Sequence, residues 1–222
     1  MTTSKIPVAA SPASPGRSLS IPEGHPVVVF GGTFDPPHEG HVSAAVGARD
    51  ELFGDDGWLV VVPAARSPHK AVAPVASDVQ RIRMLGLAFG SVPRVFVWTD
   101  ELDRSHGSGE PSFTIDTVRR LREVVRPPTP VRLLIGADQA IAYDRWKDSA
   151  ELERLAEPAV ALRPPHSGVD ALLGAGLDAG RWGPRVLKTP LVDAASSDVR
   201  SGQHTDLPPG VRALIEAEGL YR

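Results

Sequence analysis

The chain contains no cysteine. Disulfides, thiol nucleophiles and thiolate-held metals are therefore excluded, and a cytoplasmic location suits the composition. Long apolar runs are also missing: none approaches the roughly 18 residues needed to cross a membrane. The first residues lack the apolar core of a secretory signal. Neither sign of charge dominates. Lys and Arg number 24 against 27 Asp and Glu, a formal net charge of −3. That balance argues against a general nucleic-acid binder and confines any polyanion contact to a local site.

What remains is an ordinary globular composition. The 222 residues are 41% hydrophobic, enough for one domain of moderate size with a sizeable core, and the 22 prolines and 21 glycines imply many loops. Residues 1–25 are rich in Ser, Pro and Ala, with Lys5, Arg17 and Glu23 as their charges. They are expected to form a flexible leader with no part in the fold, leaving 26–222 as the domain. A targeting role for the leader is left open, because basic residues precede any acid. The oligomeric state is open too, a homo-oligomer included.

The chain is organised around Val27 to His41, VVVFGGTFDPPHEGH. Four apolar residues, Val27 to Phe30, suit a buried strand. Gly31 and Gly32 suit a turn, and Pro36-Pro37 leads into residues with helical spacing. With a helical turn starting near Pro37, His38 and His41 share a face. Amide donors and the positive dipole end of that helix favour an anion in the gap above the strand. The stretch therefore reads as a phosphate site with two added imidazoles. A tight turn with two surface histidines is the plainer reading. A zinc pair completed by His69 is another, but it leaves the glycine turn unexplained.

Further along, Val42, Ala45, Val46, Leu52 and Phe53 continue the helix as far as Gly54 and Gly57. Trp58–Val62 reads as a second strand. Asp78–Gly90 reads as a helix with Val79, Ile82, Leu85 and Phe89 inward and Arg81 and Arg83 outward. Arg94–Trp98, Val131–Ile135 and Pro158–Leu162 read as strands, and Val186–Val192 as a last strand candidate. Ser112 suits the N-cap of a helix through Val118, Leu121 and Val125. Residues 164–184 are loop-like around a weak helix, and Val211–Tyr221 is amphipathic. Apolar strands alternating with helices imply an α/β fold, a parallel sheet covered on both faces.

Several positions carry candidate chemistry. Lys70, in the loop Ser67-Pro68-His69-Lys70, is a mobile cation suited to a phosphate. Gly136 permits close approach of a ligand to the backbone. Asp138 can accept from ribose hydroxyls or cap a helix. Trp146 can stack on an aromatic ring or fill the core. Arg163, at a strand end, can fork onto a phosphate. Ser196 and Ser197, entering a helix, can donate to phosphates, with Arg200 adding charge.

The stretch Gly31–His41 resembles the GGTFDPxHxGH signature of nicotinate-nucleotide adenylyltransferases, within the nucleotidyltransferases that carry (H/T)xGH. The resemblance extends from about residue 27 to 222 through ordered motifs. These are Ser67–Lys70 for PxxxPPHK with its first Pro replaced, then Ser112–Thr117 for SYTxDT with Phe113 for Tyr. Leu134–Trp146 follows for (I/V)GxDxxxxxxxW, and Ser196–Arg200 for the serine-rich second signature. The resemblance implies a Rossmann-like sheet of nucleotidyltransferase type. It also implies adenylyl transfer from ATP, with Mg²⁺, to nicotinate mononucleotide. In that scheme Gly32, Thr33 and Phe34 hold phosphates, while His38 and His41 donate to them as charge builds. Lys70 and Arg163 hold the mononucleotide phosphate, and Ser196, Ser197 and Arg200 hold the leaving pyrophosphate. Gly136 and Asp138 contact ribose, and Thr114 and Trp146 seat the pyridine.

One departure bears on the chemistry. Asp198 stands where the second signature has Thr, and its carboxylate repels phosphate unless it faces away or toward Mg²⁺. It motivates the alternative of a nucleotide-binding relative that no longer catalyses. Other acceptors on the same fold are nicotinamide mononucleotide and pantetheine phosphate. His38 argues against the latter, since the pantetheine enzymes resemble this motif with Thr there. A metal-dependent hydrolase is a further alternative.

Overall fold

Alternation along the central strand sets the layering. In β1 (Val27–Gly32), Val28 packs with Leu59 and Val61 on one face of the sheet, while Val27 and Val29 pack with Val60 and Val62 on the other. Successive side chains of a strand point to opposite faces, so an unbroken apolar run means that both faces are covered. The computed structural model describes residues 18–66, 73–105, 111–162, 168–189, 195–201 and 206–221.

Five parallel strands lie in the order β3-β2-β1-β4-β5, with β2 at Trp58–Pro63, β3 at Val95–Val97, β4 at Val131–Gly136 and β5 at Glu157–Ala161. Val27 is in register with Trp58 on one side and Val131 on the other. The chain leaves β1 toward β2 and β3, then crosses back to place β4 on the opposite flank. That reversal opens a crevice at the strands' carboxyl ends.

One face is covered by α1 (Glu39–Phe53), α2 (Asp78–Phe89) and, late in the chain, α10 (Pro209–Glu218). They bury Ala45 and Ala48, Met84 and Leu85, and Val211 and Ile215. The short α3 (Asp100–Ser105) follows β3. The other face takes α4 (Thr114–Val124), α5 (Ala137–Ala142), α6 (Ser149–Leu155), α7 (Val169–Gly174) and α8 (Ala179–Trp182), through Val118, Leu121, Ala140, Leu152, Leu172 and Trp182. The α/β, Rossmann-like expectation therefore holds.

Several local expectations are corrected. Helix α2 is capped by Ser77, whose Oγ accepts from the Gln80 amide at 3.3 Å. Its buried stripe is centred on Leu85, so Arg81, four residues earlier, points inward with Ile82 and Met84, whereas Val79 is 61% exposed. Helix α1 begins at Glu39, two residues later than expected, with His38 in the capping position. Phe113, not Ser112, precedes α4, because the Ser112 hydroxyl donates to the Glu101 carboxylate instead. Thr114 is thus the first residue of that helix. Of the last strand candidate, Val186 forms an isolated parallel bridge with Val160, and residues 190–194 lie outside the described residues. Leu19 is buried and Ile21 packs beside it on the sheet, so the packed body starts before residue 26. Residues 1–17 of the expected leader lie outside the described residues.

The core makes a direct prediction. Leu121 of α4 is fully buried. Leu121→Ala should cost about 2–5 kcal/mol, from lost transfer energy and the cavity left behind. It should be read as a lower urea midpoint at unchanged slope.

Candidate active site

The site starts where β1 stops. A Cβ on Gly32 would lie 2.9 Å from the Phe34 ring, so only glycine lets the turn fold back this closely. Phe34 itself adopts φ +50°, an uncommon conformation for a bulky side chain, and is 1% exposed. That turn drops its ring between Phe30 (5.4 Å between centroids) and His41 (5.1 Å).

His38 and His41 stack, with ring centroids 3.7 Å apart and planes inclined by 30°. The backbone N–H of His38 donates to His41 Nδ1 at 3.2 Å. With Nδ1 accepting, Nε2 is the nitrogen that carries hydrogen in the neutral ring. The helix start contributes less than expected, because the Glu39 amide is already committed to the Asp206 carbonyl at 2.8 Å. The first helical amide is therefore engaged within the fold, while both imidazoles line the cavity described below.

Asp35 went unremarked by the sequence reading, and the structure makes it a junction. Its buried carboxylate accepts from the amides of Val75 (2.8 Å) and Ala76 (3.0 Å) and from the Tyr221 hydroxyl (2.6 Å). Its carbonyl accepts from Arg200 Nη1 at 2.7 Å, and the neighbouring Pro36 carbonyl accepts from Ser196 Oγ at 2.9 Å. Burial first, and the bond to Asp35 second, push the Tyr221 phenol well above its ordinary pKa, so it remains a donor at neutral pH.

Above this junction lies a cavity of about 700 Å³, within the size range of small-ligand sites. Gly32, Thr33, Phe34, His38 and His41 form one wall; Ser196, Ser197 and Arg200, from α9 (Ser196–Arg200), form another. Gly136, Asp138, Thr114 and Trp146 line the remainder. The fold thus gathers every described residue named as a candidate from sequence. Lys70 and Arg163 lie outside the described residues.

Details differ from expectation. Gly136 occupies the capping position of α5, so Asp138 sits in the first turn on the cavity wall and is not the cap. Asp198 is exposed and absent from the cavity lining; its Oδ1 accepts from the Ser197 hydroxyl at 3.2 Å. Polar wall residues beyond the sequence candidates include Glu101 and Lys147. Glu101 is 7% exposed and accepts from Thr117 Oγ1 at 2.9 Å. Lys147 lies 4.7 Å from the Phe113 ring centroid and 3.1 Å from Asp116 Oδ2. Glu101 had a signal, since Glu101 to Arg104 resembles an ExxR motif of the same adenylyltransferases; Lys147 beside Trp146 had none. Among the described residues no three His, Cys, Asp or Glu side chains are grouped to hold a metal ion, and no helix is long and apolar enough to cross a membrane.

Comparison with known proteins now decides the family. A cytidylyltransferase-like family model matches residues 29–202. A probable nicotinate-nucleotide adenylyltransferase of Stenotrophomonas maltophilia is 38% identical over 218 residues, covering 88% of this chain and 96% of that protein. The chain belongs to the nicotinate-nucleotide adenylyltransferase family. A second member, from Geobacillus kaustophilus, is 32% identical over 205 residues, covering 87% of this chain and 84% of its own. The fold is shared with solved structures of Plasmodium falciparum nicotinic acid mononucleotide adenylyltransferase. The complex with APC superposes at a TM-score of 0.63 with 15% identity, covering 89% of this chain and 97% of the other. The complex with NaAD gives 0.62 and 16%, covering 88% and 96%.

The Asp35 junction yields a prediction for this family member. Tyr221→Phe removes one bond to a buried carboxylate and should cost about 1.5–3 kcal/mol. Asp35→Ala should cost more, since it strands all the donors. Thermal unfolding of both variants gives the order.

Proposed function

We infer that this chain transfers the adenylyl group of ATP to nicotinate mononucleotide, releasing pyrophosphate and forming nicotinate adenine dinucleotide. The observation that carries the reading is a cavity at the strands' carboxyl ends. It holds the paired histidines, the glycine turn and the serine–arginine helix start together. In the transfer, a phosphate oxygen of the mononucleotide forms a bond to the α-phosphorus of ATP. The bond from that phosphorus to the bridging oxygen breaks, and its electron pair leaves with pyrophosphate. No covalent enzyme intermediate is required, so rate comes from alignment and from neutralising charge that grows on the phosphates.

Each residue has a part in that scheme. His41, with Nε2 bearing hydrogen, donates to the phosphates, and His38 stacks against it and shares the task. The turn Gly32–Phe34 offers backbone to the triphosphate. Ser196, Ser197 and Arg200 receive the departing pyrophosphate. Lys70 and Arg163 are assigned the mononucleotide phosphate. Gly136 and Asp138 are assigned ribose, and Thr114 and Trp146 the pyridine. Magnesium enters as part of the substrate, MgATP. It prefers phosphate oxygens and its own waters to an all-protein cage, which suits a site without a dedicated ligand cluster among the described residues. A chain without cysteine is compatible with the cytoplasm, the location proposed for this reaction.

Pyrophosphate release from MgATP, with nicotinate mononucleotide, nicotinamide mononucleotide and phosphopantetheine offered separately, tests the reading. Strong preference for the nicotinate acceptor is expected; release with none of them overturns it. His41→Ala should cut turnover by about 10²-fold or more while far-ultraviolet circular dichroism stays unchanged. Asp198 faces solvent, where charge is screened. Asp198→Asn should therefore alter the KM for MgATP by less than about fivefold.

A further inference from the structure

Arg81 is a buried cation to which the transfer scheme gives no part. It is fully buried on α2 and does not line the cavity. Its Nη1 donates to two carbonyls, Thr33 and Ala64, each at 2.8 Å, and its Nη2 donates to Asp78 Oδ1 at 2.6 Å. The Ala64 amide in turn donates to the Gly32 carbonyl at 2.8 Å. One guanidinium thus joins the turn after β1 to the segment leaving β2.

The geometry of the peptide unit makes this more than support. In a planar trans peptide the carbonyl and the N–H point in opposite directions. Holding the Thr33 carbonyl toward Arg81 turns the Phe34 amide away from it, and Thr33 and Phe34 both form cavity wall. Holding the Ala64 carbonyl fixes the start of the segment that leaves β2. A fork of fixed N–H directions can grip two carbonyls at once, which a lysine ammonium on its flexible stem does less well.

We propose that Arg81 is a positioning residue. It sets the orientation of the Thr33–Phe34 peptide that meets the triphosphate, and the take-off of the segment after Ala64. What is positioned rests on the adenylyl-transfer reading; the clamp itself does not. The test compares Arg81→Lys and Arg81→Met with Val131→Ala, a core change at the opposite end of β4 that also lowers stability. Thermal midpoint, affinity for a non-hydrolysable ATP analogue, and kcat and KM for each substrate are measured below the lowest midpoint. Arg81→Lys should lower kcat by about tenfold or more and raise the KM for MgATP, since small misplacements of reacting groups are costly. Its KM for the mononucleotide should rise as well, because the segment after Ala64 precedes Lys70, which is assigned to that phosphate. Arg81→Met should be worse, so that lysine is a partial rescue. Val131→Ala should melt lower and keep its kcat.

Arg81→Lys with kcat and KM for MgATP unchanged would reduce Arg81 to a stability role and overturn the proposal. If Arg81→Met does not fold, Arg81→Lys decides alone. If the wild-type protein releases no pyrophosphate with any acceptor, the transfer reading fails separately. Analogue affinity then judges the clamp: weaker binding in Arg81→Lys sustains it, and equal binding sinks it.

Discussion

A buried carboxylate with three donors holds the working end of this molecule together. Asp35 accepts from Val75, Ala76 and Tyr221, and its own carbonyl receives Arg200. A carboxylate taken out of water is costly unless it is fully hydrogen-bonded. The stable arrangement is therefore one in which the loop before α2, the C-terminus and the short α9 all converge beneath the same turn. Helix α9 spans only Ser196–Arg200, too short to be stable by itself, and it reaches the cavity through Ser196 on Pro36 and Arg200 on Asp35.

The sheet provides the rigid base for this junction. Gly32 ends β1 and Gly136 ends β4, and these neighbouring strands continue in opposite directions into α1 and α5. The crevice between the two departures is a consequence of strand order, not of any single side chain. Two separate apolar clusters, one per face, keep the strand ends from shifting. Close-packed interiors resist such movement, and a reaction that depends on alignment benefits from it.

The chemistry proposed for the cavity draws on several residues at once. Charge neutralisation is spread over two imidazoles, a backbone turn, two hydroxyls and arginine. The polar contacts show how those groups are kept in place: His41 by the His38 amide, Ser196 by Pro36, and Thr33 by Arg81. Asp198, the departure from the second signature, is exposed while its neighbour Val199 is buried. Consecutive helical residues differ in direction by about 100°, so burying Val199 removes Asp198 from the same face.

Local pattern carried much of this into view. The order of strands and helices, the covered parallel sheet, the glycine turn and twelve residues of the cavity wall were legible, because periodicity and turn chemistry act between near neighbours. Where the pattern misled, as with Arg81 and Val79, the helix was right and its face was wrong. The buried stripe of α2 is set by what lies opposite it, two carbonyls on other strands' ends. The sequence by itself determined that there would be a glycine turn with paired histidines on an α/β scaffold. Only the tertiary structure decided that Asp35 and Arg81 anchor it, and that the Glu39 amide is spent on Asp206. The physical reason is separation: Asp35 meets Tyr221 across 186 residues and Arg81 meets Thr33 across 48. Contacts at such range leave no periodic trace in the chain.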